Sequence, residues 1–124
     1  MENYRLFSNW LNQILVKDIP VGIKAFNFNL YEGSDDTYHI QLIGSEEFNE
    51  NDSDWACTDY FNSEEVICYI NRTEDIQHWE QGLNHITMLV ERYLKEGEYT
   101  NLLKSASAIG IGFVDGDIDI LFRT

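Results

Sequence analysis

The chain concentrates its acidic residues in one segment that also carries large aromatic side chains. Between Ala25 and Asn71 there are eleven Asp or Glu residues and no Lys or Arg. Acidic and aromatic side chains together are typical of a protein-binding surface, because aromatic rings anchor a partner and charges steer its approach. The alternative is an acidic, solvated loop that only keeps the protein soluble.

The predicted binding surface lies within the segment from Glu46 to Glu65. The residues predicted to bind the partner are Glu46, Glu47, Glu50, Asp52, Asp54, Trp55, Asp59, Tyr60 and Phe61. The three aromatic residues among them are the predicted anchors, although strand alternation could instead turn Trp55 into the core. Because like charges this dense repel one another, a basic partner would compensate them.

Three more carboxylates, Asp115, Asp117 and Asp119, flank a predicted turn near the C-terminus. They could hold Ca²⁺ or Mg²⁺, but the same spacing follows from strand alternation. In that interpretation Asp117 and Asp119 lie on an outer face, because Ile118 and Ile120 need the inner one. We favour an acidic surface there and predict no metal and no cofactor.

The sequence carries no recognisable catalytic set. It contains no G-x-S-x-G motif, no P-loop and no dinucleotide-binding fingerprint. His78 and His85 are seven residues apart, which separates them by about 10 Å along a helix, too far for one metal ion. A glycosidase-type pair of carboxylates is an alternative that the sequence leaves open. A small domain, however, leaves little room for a cleft with two differentiated acids. We therefore predict that the protein is not an enzyme.

Length and charge define the class of protein and of partner. The 124 residues suit a single domain, 1–124, that buries a core without metal or disulfide. The net charge of −14 and the pI near 4.3 argue against nucleic acids and membranes as partners and favour a cationic protein. No secretory signal is visible, so we expect a cytoplasmic protein in which Cys57 and Cys68 are buried thiols. A disulfide stays open if the two face each other across a hairpin.

The hydrophobic pattern of the first half predicts a helix followed by strands. An apolar stripe at helical spacing comprises Phe7, Trp10, Leu11, Ile14 and Leu15. Apolar residues then alternate over 26–30 and 38–42, which predicts a hairpin with one dry and one wet face. Two more strands, 55–61 and 65–70, are expected to form a hairpin with a turn at Asn62-Ser63.

The second half predicts a long helix, a short one and a final hairpin. The long helix is expected to begin near Asn71 or Thr73, to bury a stripe that includes Trp79, and to end at Gly97 in a left-handed cap. A short helical piece at 99–106 precedes strands on either side of Asp115-Gly116. The order predicts an α+β fold with an antiparallel sheet of about six strands and helices packed on one face.

The chain resembles the immunity proteins of bacterial polymorphic-toxin and contact-dependent growth inhibition systems. The resemblance is carried by the acidic-aromatic stretch from Phe48 to Phe61 and by the segment from Ala108 to Leu121, together with small size, strong acidity and an α+β layout. It implies a protein that binds and neutralises a cognate toxin domain, such as a nuclease with a basic substrate cleft. The alternative is an acidic protein-protein interaction module unrelated to toxins.

Overall fold

The computed structural model describes residues 2–17, 19–49, 51–57, 60–63 and 65–124. Three α-helices are present in these ranges: α1 Asn3–Leu15, α2 Trp79–Glu96 and α3 Thr100–Lys104. The strands are β1 Ala25–Glu32, β2 Thr37–Ser45, β3 Phe61–Asn62, β4 Cys68–Asn71, β5 Ala108–Phe113 and β6 Asp119–Arg123. Two short 3₁₀ helices, Ser53–Cys57 and Glu74–Ile76, complete the elements.

The six strands form one mixed sheet in the order β3-β2-β1-β5-β6, with β4 also paired to β2. The predicted α+β class and strand number are confirmed. The prediction that every strand pair is antiparallel is wrong at the centre, where β1 and β5 run parallel. The chain between these two strands includes α2 and α3, and a connection of this kind brings a strand back in the same direction.

One face of the sheet is covered by the helices and holds the core. The predicted α1 stripe is confirmed, since all five of its residues are buried. The dry face of the predicted hairpin is confirmed too: its buried side chains are Phe26, Phe28, Leu30, Tyr38, Ile40 and Leu42. Residues from α1, α2 and α3 join these side chains in one cluster. Burial of this apolar surface is the main stabilising contribution to the fold.

The predicted hairpin of 55–61 and 65–70 is wrong. Both β3 and β4 pair with β2, which has Ile43 opposite Asn62 and Ile40 opposite Cys68. The nine residues of β2 are long enough to pair with the two short strands one after the other along the same edge. Cys68 carries a free, buried thiol, and burial raises its pKa to about 12.

The start and the end of α2 also differ from the prediction. A 3₁₀ helix occupies 74–76, and α2 begins only at Trp79, where the backbone N–H of His78 donates to Oε1 of Gln81 at 3.2 Å. Gly97 ends the helix with φ −71°, so the predicted left-handed cap is wrong. A side chain there would meet the Tyr93 ring at 2.5 Å, so close packing accounts for this glycine.

Candidate functional site

Four of the predicted partner-binding carboxylates surround one open depression on the surface. Glu46, Glu47, Asp52 and Asp54 line it together with Lys24, and its volume is about 380 Å³. All four carboxylate side chains are exposed. We call this depression the loop cavity. The structure therefore brings together residues that the sequence predicted as one surface.

Local hydrogen bonds shape the loop around this cavity. The Ser45 hydroxyl accepts the backbone N–H of Glu47 at 3.1 Å, and Oδ1 of Asn49 accepts that of Asn51 at 2.9 Å. Oδ1 of Asp52 accepts the backbone N–H of Asp54 at 3.1 Å. Ser, Asn and Asp side chains favour such bonds two residues along, and each bond fixes a turn.

Trp55 attaches the loop to the sheet and is almost fully buried, although it also borders the loop cavity. Its side chain is 3% exposed and packs against Ala25 and Ala108, on the face of the sheet opposite the helices. Phe48 meets the Trp55 ring edge-on, with 5.5 Å between centroids. The prediction of Trp55 as a surface anchor is therefore wrong, because the small residues of β1 and β5 leave room for an indole on that face.

The other predicted partner-binding residues have different environments. Tyr60 is 45% exposed, and its backbone N–H donates to the Gly44 carbonyl at 2.8 Å. Phe61 is half-buried and packs against the main core, so only part of its ring is available. Glu50 and Asp59 lie outside the described residues. Tyr60 is thus the exposed aromatic residue that remains from the predicted anchors.

No ion pair within the described part of the chain involves the carboxylates of the loop cavity. The ion pairs found there join Asp35 to His39, Glu32 to Arg72, and Arg92 to both Glu2 and Glu96. None of these pairs includes a carboxylate of the loop cavity. Among the described residues of its lining, Lys24 is the one that is basic.

A second acidic cavity lies at the opposite end of β1. It is lined by four carboxylates and an apolar wall: Glu32, Asp115, Asp117, Asp119, Trp79, Leu83, Phe113 and Gly116. Its volume is about 460 Å³. Lys24 directly precedes β1 and Glu32 ends it, so the two cavities are separated by roughly the 25 Å length of an eight-residue strand. We call the second cavity the hairpin cleft.

The orientation predicted for the final hairpin is wrong. Ile120 is 37% exposed, whereas Asp119 lies opposite the buried Ile111 and lines the hairpin cleft. A register shift between Ile109 and Gly110 accounts for this difference, since one extra residue reverses the faces that follow it. The carboxylates therefore point towards the side of α2.

The sequence analysis did not place Trp79 in a binding site, although it lines the hairpin cleft. The helical stripe predicted that Trp79 is buried, but it is 50% exposed. Its ring meets Phe113 edge-on, with 6.1 Å between centroids. Because α2 starts at this residue, the indole lies at the margin of the core, and periodicity alone does not locate that margin.

Within the described residues, no three or more His, Cys, Asp or Glu side chains are grouped so that they could hold a metal ion. His85 instead contacts the side-chain amide of Asn3 at 2.9 Å, and His39 contacts the Thr37 hydroxyl at 2.9 Å. The helices in those ranges are too short or too polar to span a bilayer.

Comparison of the chain with models of known protein families, with curated proteins and with solved structures finds no match.

Proposed function

We propose that this chain is a non-enzymatic protein that binds a cationic protein surface through the loop cavity. One observation carries the proposal: four exposed carboxylates surround a single depression, and none of them takes part in the ion pairs of the described residues. Exposed charges of one sign raise the rate at which an oppositely charged protein associates. The hydrogen bonds within the loop hold this surface in place before the partner arrives.

The specific role that we propose is that of an immunity protein. A toxin nuclease must attract phosphates, so its substrate cleft is basic, and an acidic inhibitor can occupy the same cleft. The inhibitor would act in the cytoplasm, where such a toxin would meet its substrate. The alternative role, an acidic interaction module without a toxin, uses the same surface. The two differ in whether the chain protects a cell.

The hairpin cleft supplies a second contact in this proposal. The half-exposed Trp79 indole stands beside carboxylates, and an aromatic face beside negative charge suits an Arg or Lys side chain. Trp and Arg dominate the energy of many protein interfaces. We therefore assign association mainly to the loop cavity and part of the residence time to the hairpin cleft.

The test of this function is protection of growing cells. If a large secreted protein is encoded next to this chain, its C-terminal domain is expressed in a bacterial host with and without the chain. We expect the domain to stop growth alone and the chain to restore it. A variant with Asp52→Lys and Asp54→Lys should protect less.

A matched control carries Glu91→Lys and Glu98→Lys, which change the net charge equally at exposed positions on the helix side. This control should protect like the wild type. Failure of the wild-type chain to protect, with both proteins present at comparable levels, would reject the immunity role and leave the interaction module. Equal protection by both variants would reject the loop cavity as the binding surface.

A further inference from the structure

A third cavity lies on the sheet face opposite the helices. Five uncharged polar side chains line it: Asn27, Asn29, Tyr31, Gln41 and Asn62. We call it the amide cavity, and its volume is about 350 Å³. Charged residues make up 24% of the chain, yet none is found among the described residues that line this cavity.

Asn27 lines this cavity and carries a buried polar atom without a hydrogen-bond partner. Its side chain is 1% exposed, and Nδ2 donates to Oδ1 of Asn29 at 2.6 Å. The Asn27 Oδ1 atom is buried and accepts no hydrogen bond. An unpaired acceptor in this position is unfavourable because it has lost its hydration without a replacement. A ligand that donates a hydrogen bond would remove this cost.

The neighbouring strand leaves space for the Asn27 amide. A side chain at Gly110 would lie 2.7 Å from Asn27 Oδ1 and 2.9 Å from Cγ2 of Ile118. These two atoms therefore occupy the space above Gly110. Ile118 is half-buried and lies in the connection between β5 and β6, outside both strands. Ile118 also lines the amide cavity, so a ligand in that cavity would reach Asn27 Oδ1 once the Ile118 side chain rotates away from it.

We infer that the amide cavity binds a neutral polyhydroxylated molecule of monosaccharide size, with one hydroxyl donating to Asn27 Oδ1. The described residues of the lining carry no charge, which favours an uncharged ligand over an ion. Amide and phenol groups both donate and accept, and so does each hydroxyl of a polyol. Ile43 and Ile118 supply an apolar wall for the C–H groups. The volume falls in the range of small-ligand sites.

The probes for this inference are glucose, galactose and mannose, titrated separately into ¹⁵N-labelled protein at millimolar concentration. We expect at least one sugar to cause saturable shifts of the Asn27 and Asn29 side-chain amides and of the Gly112 backbone amide. In Asn27→Leu the affinity for that sugar should fall at least tenfold. The unfolding midpoint of the Asn27→Leu variant should not fall, because a leucine fills the same space without an unpaired acceptor.

Two further variants complete the experiment. Asn29→Ala should also bind at least tenfold more weakly, and it reports on the site if Asn27→Leu does not fold. Asn101→Ala, at an exposed position on α3, should bind like the wild type. The inference is overturned if no sugar gives saturable shifts, which would mean an ordered water only. Unchanged binding in Asn27→Leu, or unchanged binding in Asn29→Ala where Asn27→Leu does not fold, would overturn it as well.

Discussion

The two faces of the central sheet differ in composition and in packing. The face under the helices is apolar and closely packed, with Phe28, Leu30 and Ile40 all fully buried. The opposite face carries amide side chains, the unpaired Asn27 oxygen and the acidic loop that Trp55 attaches. The first face contributes most of the stability. The second face carries polar groups where apolar side chains would pack more closely. We infer that binding resides on the second face and its margins.

The largest expected difference between the faces is in stability. Phe28→Ala should lower the free energy of unfolding by about 3–5 kcal/mol, because it leaves a cavity beneath Phe7 and Trp10. Tyr31→Ala, on the opposite face of the same strand, should cost about 1 kcal/mol or less, since Tyr31 is 36% exposed. Urea denaturation of both variants measures this. Equal losses would show that the faces are not distinct.

A smaller change in stability is expected when high pH ionises a tyrosine on the helix-covered side of the sheet. Burial raises the pKa of Tyr93 to about 12, so the folded state favours the neutral phenol, which donates to Asn12 at 2.5 Å. This contribution is complete below pH 10 and is lost as pH rises towards 12, by up to about 2 kcal/mol. Tyr93→Phe should flatten the decline of the urea midpoint between pH 10 and pH 12. An unchanged slope in that variant would assign the decline to other groups.

A substitution at the margin between the two faces should lower the free energy of unfolding only slightly. Trp79→Ala loses the edge-on contact with Phe113 and some apolar burial, so we expect a loss of about 1 kcal/mol. Trp10→Ala, in which a 7% exposed indole is removed, should cost about 3–5 kcal/mol. Thermal or urea unfolding compares the two. If Trp79→Ala lowered the free energy of unfolding as much as Trp10→Ala does, Trp79 would be a core residue and not a residue that is available to bind a partner.

The smallest change in stability is expected in the loop cavity. Asp52→Lys with Asp54→Lys should lower the free energy of unfolding by less than about 1 kcal/mol, because relieved repulsion between carboxylates offsets the lost hydrogen bond from the Asp54 N–H to Asp52 Oδ1. Circular dichroism during urea titration measures this. A loss above about 2 kcal/mol would mean that these carboxylates stabilise the fold, and the binding data could not then be interpreted through charge.

Features that depend on neighbours in sequence were predictable, and features that depend on distant pairing were not. The α1 stripe and the β1–β2 hairpin follow from local periodicity, and the structure confirms them. The pairing of β3 and β4 with β2 depends on which strand edge is free in the folded sheet, and no local sequence pattern specifies that. Burial of Trp55 depends on Ala25 and Ala108, far apart in the chain.

The candidate site shows the same division. Glu46, Glu47, Asp52 and Asp54 are close in sequence, so their convergence around one cavity was predictable. The hairpin cleft joins Glu32, Trp79 and Asp117 from three distant segments and could not be inferred from spacing. Alternation over 26–30 puts Asn27 on the wet face of the predicted hairpin, and its burial depends on distant residues, among them Ile118 beside its Oδ1.

The most direct test of the account is the rate at which the chain associates with the toxin domain used in the growth experiment. Stopped-flow fluorescence gives the association rate constant from 20 to 500 mM salt. For the Asp52→Lys, Asp54→Lys variant we predict a rate about tenfold lower at low salt and a weaker salt dependence. The Glu91→Lys, Glu98→Lys control should stay within about twofold of the wild type. Equal rates for the two variants at every salt concentration would contradict the loop cavity as the surface that steers binding.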